Sequence, residues 1–410
     1  MKIWLKYLIG IGLGIISAFV IPIDSPSAQS VLNFISDLVI RFGRYIIIPL
    51  LFFSVATSIY KLREENQLLK TSIWTFSTII ISSLALTLLG IISALLIKLP
   101  RIPITVEKIN EASQFNWQDL LTKLFPYSAL ETLLDGSYLL PCFIFAGLVG
   151  GAAASDKNAS KVAFSLFESL SKVFYTVLAF VIDILCVGMV AIMARWTINL
   201  RHIFELKVYN YLILILLVDF ILITFVIYPI ILRTLCHDHH PFKVIYSSIA
   251  PLMVAFFSGD TNLTLGLNMH HGKENLGIRR RVNSVSFPLF AIFGRGGSAL
   301  VQSICFVLIM RSYSYLGITI LDVLWITGIS FTLSFALAEI PSGGPFFAIT
   351  IMCSLYGRGF ETGYLLLRNV APIICAFAAA IDCITAIVGS YIVAVKTKML
   401  EPVQSVRKFV

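Results

Sequence analysis

Residues 249–268 read IAPLMVAFFSGDTNLTLGLN, and residues 329–355 read ISFTLSFALAEIPSGGPFFAITIMCSL. Each stretch is apolar at both ends and interrupted in the middle. The first break is Ser258-Gly259-Asp260-Thr261-Asn262, the second Pro341-Ser342-Gly343-Gly344-Pro345. A helix needs about 20 apolar residues to traverse roughly 30 Å of hydrocarbon, so dividing Val244–Met269 into two crossings leaves each too short. Backbone that leaves the helix at membrane depth is tolerated only inside protein or beside a watery cavity, because lipid offers no hydrogen bonds. A long apolar run follows each break. Two matched breaks in successive hairpin-plus-helix units point to the binding site of a transporter. Helix ends exposed at such tips offer N–H donors to a carboxylate and C=O groups to a cation. The competing reading is a pair of ordinary short loops between thin helices.

The rest of the chain has the composition this reading requires. Of 410 residues, 58% are hydrophobic and 13% charged, and the mean hydropathy is +0.90. A typical globular chain is roughly one quarter charged, so a soluble enzyme, a nucleic-acid-binding domain and a disordered scaffold are excluded together. The net charge of +9 fits orientation in the bilayer and anionic headgroups. The seven cysteines are odd in number and mostly within apolar runs, which suggests buried free thiols rather than a disulfide framework. Full crossings are expected at Tyr7–Ile23, Tyr45–Tyr60, Thr71–Ile97, Tyr138–Ser155, Val173–Ala194, Val208–Leu232, Val282–Met310 and Tyr364–Lys396. A cleavable signal peptide is the other reading of the first, but its apolar core is long for that role. Short loops on the side of the N-terminus carry Lys61, Arg63, Lys70, Lys157, Lys161, Arg233, Lys243 and Arg279–Arg281. This bias puts the N- and C-termini in the cytoplasm.

A resemblance follows from particular segments. Leu8–Gly14 (LIGIGLG), Arg41–Leu62 (RFGRYIIIPLLFFSVATSIYKL) and Leu140–Gly151 (LPCFIFAGLVGG) are similar to the first, second and fourth helices of the dicarboxylate/amino acid:cation symporters, the glutamate transporter family. Ala255–Met269, Phe287–Leu300 and Ile340–Gly344 resemble its first hairpin, seventh helix and second hairpin. The resemblance implies an all-α polytopic membrane protein of the inverted-repeat, elevator type, with eight transmembrane helices and two re-entrant helical hairpins, assembled as a homotrimer. Residues 1–240 would then be mainly scaffold and trimerisation helices, with a long external loop at 98–137. Residues 241–400 would form the transport core: hairpin 1 (243–270), helix 7 (281–311), hairpin 2 (315–357) and helix 8 (362–396). Residues 401–410 would be a cytoplasmic tail.

The ligand positions depart from the family pattern. Asp260-Thr261-Asn262 stands where the family has a serine-rich tip, and Gly294-Arg295-Gly296-Gly297-Ser298 where it has Asn-Met-Asp-Gly-Thr. The resemblance places the family's cation-binding acids on Gly296 and Ile387, and its seventh-helix Asn on Gly294. Its substrate-binding Asp, Arg and Asn fall on Ala376, Ala379 and Cys383. Thr385 is retained. Weak sodium dependence or none follows.

Charge within the membrane marks the remaining candidates. Arg295 lies near the middle of an otherwise uncharged run, where an unpaired charge costs at least about 2.5–3.5 kcal/mol. Its planar fork suits a carboxylate, so it is either a substrate clamp or an internal ion-pair partner of Asp260. Asp382 is a candidate cation or proton ligand, the other reading being a buried partner for a backbone or hydroxyl donor. The substrate-binding set is Asp260, Thr261, Asn262, Arg295, Ser298, Ser342, Gly343, Gly344, Asp382 and Thr385, with Gly294 and Asp382 for a cation. Glu339 could add charge at the second tip. Asp183 and Asp219 read as local polar contacts, Cys236–His240 as a solvated loop, and His270-His271 as loop histidines able to tune opening. No Walker motif, hydrolase elbow or HExxH is present, so the chain reads as no enzyme.

The expected function is secondary active symport of a small organic solute, with anions among the candidates, across a bacterial inner membrane. The expected partners are that solute, the lipid bilayer and two further copies of the chain, with no nucleic acid. No cofactor is expected beyond a coupling cation, Na⁺ or H⁺. An uncoupled channel or facilitator, a transport-inactive sensor of the same fold, and a membrane-embedded enzyme using Asp382 are the alternatives.

Overall fold

The computed structural model describes residues 2–20, 26–97, 100–102, 122, 125–134, 138–205, 208–238, 240–313, 317–336 and 343–402. Most of loop 98–137, residues 403–410, and Glu339, Pro341 and Ser342 lie outside the described residues. What is described is helical, with an isolated backbone bridge between Ile278 and Leu400.

The N-terminal helices are α1 (Ile3–Val20), α2 (Pro26–Arg44), α3 (Ile47–Glu64), α4 (Leu68–Leu96), α5 (Leu139–Ser155), α6 (Lys157–Glu205) and α7 (Asn210–Leu235). α1 and α2 pack on α6, and α3 packs on α5. Among the described residues, seven helical segments are long and apolar enough to cross a membrane, Ser27–Glu64 joining α2 with α3 and Arg280–Tyr313 joining two helices of the C-terminal part. The count rises to eight if the bent pair Pro241–Ser247 and Ile249–Ser258 is one span, and α5 is a shorter apolar helix. α6 is far longer than the expected Val173–Ala194. Its 49 residues extend about 70 Å at 1.5 Å per residue, more than twice the hydrocarbon thickness. α7 contains a π-helical turn, Ile223–Ile227, immediately before Pro229. Proline has no N–H for the preceding turn, and a wider turn absorbs the mismatch.

The C-terminal part consists of shorter helices: α8 (Pro241–Ser247), α9 (Ile249–Ser258), α10 (Thr261–Glu274), α11 (Arg280–Phe293), α12 (Gly296–Tyr313), α13 (Ile320–Ala336), α14 (Gly344–Tyr356) and α15 (Ala371–Lys396), the last preceded by a 3₁₀ stretch, Gly363–Val370. The first break falls between α9 and α10, and of the second Gly343 stands directly before α14. Gly259 closes α9 with φ +63°, and Gly343 precedes α14 with φ +76°, a region that favours glycine because it has no Cβ. Pro345 and Pro372 sit in first helical turns, where no N–H partner is lost. A third break was not anticipated. The expected seventh helix is interrupted at Gly294-Arg295, between α11 and α12.

Burial separates the two parts. In the apolar window of Arg280–Tyr313, 94% of residues are buried, and in that of Gly363–Lys396, 89%; the window of Ile3–Val20 has 22%. The seventh and eighth segments are therefore enclosed by protein. Polar groups on them are sheltered from lipid, whereas α1, α2 and α4 present Ile16, Phe34 and Ile73 outward.

Candidate functional site

Two polar clusters meet at the α9–α10 break. The inner one begins with Asp260, the N-cap of α10. One of its carboxylate oxygens accepts from the backbone N–H of Asn262 at 2.9 Å and Leu263 at 3.3 Å, which satisfies donors that a helix start leaves open. The other oxygen pairs with the guanidinium of Arg44, from the C-terminal end of α2. Asp260 is fully buried, and the Arg44 side chain is 21% exposed. Arg295 is therefore not the ion-pair partner of Asp260, which corrects one of the two sequence expectations. It donates instead to the Thr261 hydroxyl and, at 3.5 Å, to the Asn262 side-chain oxygen. Its Nε has no hydrogen-bond partner among the described residues.

Asp382, from the middle of α15, caps α12. Its Oδ1 accepts from the N–H of Gly297 at 2.7 Å and of Ser298 at 3.2 Å, and its Oδ2 from the Ser298 hydroxyl at 2.6 Å. Three donors on one carboxylate tie the seventh and eighth segments together. The approach is close because position 297 is glycine: a Cβ there would lie 2.6 Å from Ile381 Cβ and 2.8 Å from Asp382 N. Gly297→Ala is therefore expected to push α12 off α15 and to destabilise the protein by about 1–3 kcal/mol through overpacking. Thermal unfolding of the detergent-purified variant checks this.

Thr261, Thr264, Asn268, Arg295, Asp382 and Cys383 line a gap of about 10 Å³, enough for roughly one water and too small for an organic solute. Thr385 is not part of it. Its hydroxyl donates to Ile381 O and meets the Tyr228 hydroxyl of α7. Gly294 lies at the C-terminal end of α11, its N–H donating to Phe290 O. Of the second tip, Gly343 and Gly344 are described and Ser342 is not.

The outer cluster surrounds a cavity of about 560 Å³, within the usual range for small-molecule sites. Ser258, Gly259 and Asp260 of the first break and Gly343 of the second line it together, with Cys375 of α15. The opposite wall is α2 and α6. Four guanidiniums (Arg41, Arg44, Arg195 and Arg368) and two carboxylates (Asp37 and Asp260) face it. Arg195 pairs with Asp37 at 2.6 Å and Arg44 with Asp260. Arg41 and Arg368 have no ion-pair partner among the described residues, and both are exposed. Sequence reasoning missed these arginines, although two signals were present. Arg41 and Arg44 lie three apart on an otherwise amphipathic helix, and Arg368 interrupts the expected last crossing.

The secondary candidates resolve locally. Asp219 accepts from Ser93 at 2.7 Å and Asp183 pairs with Lys6 at 2.6 Å. Asp238 accepts from the Tyr391 hydroxyl at 3.0 Å. His270 and His271 sit on α10 rather than in a loop, and His271 is buried against Asn275.

A family model described as the sodium:dicarboxylate symporter family matches residues 3–396. A protein of Haemophilus influenzae described as an uncharacterized symporter is 24% identical over 379 residues, covering 84% of this chain and 81% of that protein.

Proposed function

The chain belongs to the sodium:dicarboxylate symporter family, a family of membrane transporters and not of enzymes, and on that premise we propose that it carries a small organic anion through the cavity between its two helix breaks. The observation that carries this reading is the 560 Å³ cavity, lined by Ser258, Gly259 and Asp260 of the first break and Gly343 of the second and faced by two guanidiniums that have no counter-ion among the described residues. Planar guanidiniums bind carboxylates through paired hydrogen bonds, so a solute bearing one or two carboxylates suits the site. The inner cluster would position the tip, with Asp260, Thr261, Asn262, Arg295, Ser298 and Asp382 acting through the backbone they hold. Gly343 and Gly344, with Ser342 beside them, would supply the second tip.

In the same reading, the breaks are the tips of two opposed re-entrant hairpins. Residues 241–400 form a transport core that slides against a scaffold built from residues 1–240, in a homotrimer with both termini cytoplasmic in a bacterial inner membrane. The cavity lies between these two parts, where such sliding would alternately expose it.

The test is a ligand-stabilisation screen of detergent-purified protein against dicarboxylates, acidic and neutral amino acids and monocarboxylates. An anion that raises the melting temperature is expected. Arg41→Gln and Arg368→Gln should each weaken its binding about 10–100-fold, since a charge-assisted hydrogen bond is worth roughly 1.5–3 kcal/mol. Both side chains are exposed to the cavity, so the variants should fold as the parent does. Undiminished affinity in both would remove the cavity from the account.

A further inference from the structure

The family description includes sodium, and the residues at the centre of this protein do not fit it. A hard cation takes several oxygen ligands, commonly with a carboxylate to offset its charge. The inner gap has oxygens of the right kind, but they are engaged. Asp382 accepts three hydrogen bonds from α12. The Asn268 oxygen accepts from the Cys383 thiol at 3.4 Å, and the Thr264 hydroxyl donates to Thr261 O at 2.8 Å. The Thr261 hydroxyl and the Asn262 oxygen receive the Arg295 guanidinium. Among the described residues no three Asp, Glu, His or Cys side chains gather in one place.

We propose that Arg295 is a tethered cation: its guanidinium takes the position and charge that a bound alkali ion would supply between the α9–α10 tip and the α11–α12 break, so the core closes without sodium. Three features support this. Arg295 is 5% exposed and lies on the non-helical step between α11 and α12, where two helix ends converge. It donates to oxygens of the facing tip, as an ion would draw them in. It shares its small gap with Asp382, so the lining of that gap carries one fixed positive and one fixed negative charge. A mobile cation entering there would meet a guanidinium that cannot leave.

The inference rests on the transporter reading for its meaning, but its test needs no substrate. The melting temperature of the purified parent protein is expected to be the same in sodium, potassium and choline chloride at equal ionic strength, with no saturable binding of ²²Na⁺. Arg295→Ala should melt well below the parent. Low millimolar guanidinium or methylguanidinium, or sodium itself, should restore at least half of the lost melting temperature in a saturable way, while leaving the parent unmoved. Should Arg295→Ala fail to fold, Arg295→Lys, which retains a tethered charge, is expected to fold and to remain indifferent to sodium. Saturable ²²Na⁺ binding by the parent, a sodium-specific rise in its melting temperature, failure of Arg295→Lys to fold alongside Arg295→Ala, or an Arg295→Ala protein as stable as the parent would each overturn the proposal. A protein that moves no organic anion would defeat the transport reading and leave these results as they stand.

Discussion

Asp382→Ala is expected to cost about 3–5 kcal/mol of stability, the usual loss when one partner of a buried charge arrangement is removed. Three donors of α12 lose their acceptor, and the Arg295 guanidinium loses the carboxylate that lines the same gap. Asp382→Asn separates these contributions. An amide oxygen can still accept from Gly297 and Ser298, so the cap survives while the charge does not. Asp382→Asn should therefore fall between the parent and Asp382→Ala. Adding Arg295→Gln to Asp382→Asn should recover part of the loss, because the remaining buried charge disappears. Thermal unfolding of the variants in one detergent reads all of this. If Asp382→Ala melted with the parent, the anchor between the seventh and eighth segments would be refuted.

The second large effect belongs to Arg44 and Asp260, and it is asymmetric. Asp260 is fully buried, whereas Arg44 opens in part to the cavity. Arg44→Gln leaves a buried carboxylate with only two backbone donors and should cost about 3 kcal/mol. Asp260→Asn leaves a guanidinium that water can reach and an asparagine that still caps α10, so its cost should be about 1 kcal/mol. The double variant should be more stable than the sum of the single losses predicts, and a double-mutant cycle on melting measures that coupling. The pair also has a kinetic meaning. Arg44 is on α2 and Asp260 on the α9–α10 tip, so under the proposed sliding mechanism this ion pair would break on every cycle. Equal losses in the two single variants, adding without coupling, would remove the pair as a link between the parts.

Much of this was legible in the sequence, and the reasons are specific. The breaks at 258–262 and 341–345 stood out because polar and proline-glycine runs inside apolar segments have few tolerated placements in a membrane. Arg295 and Asp382 stood out because charge is costly there. Their partners did not, because hydrogen bonds between helices leave no local pattern. Asp382 reads from the sequence as a cation or proton ligand or as the acceptor of some backbone or hydroxyl donor, and only the packing of α12 identifies the donors as Gly297 and Ser298. Arg41 and Arg44 resemble ordinary headgroup anchors on an amphipathic helix, and only packing of α2 against the α9–α10 tip turns them toward the cavity. The interruption at Gly294-Arg295 was hidden by hydropathy, since glycine and phenylalanine keep the run apolar while the backbone leaves the helix. The length of α6 was hidden by its polar ends, which extend beyond the apolar span.

The central claim is that the protein moves a small organic anion against its gradient by way of the cavity between the two breaks. Uptake of radiolabelled dicarboxylates and amino acids into proteoliposomes, with imposed pH, sodium and electrical gradients, measures it most directly. Internal accumulation above equilibrium is expected for at least one carboxylate, without a requirement for sodium, and it should be lost in Arg41→Gln and Arg368→Gln. Uptake no faster than in protein-free vesicles, or uptake that stops at equilibration under every gradient, would contradict the claim and leave a channel, a facilitator or a sensor.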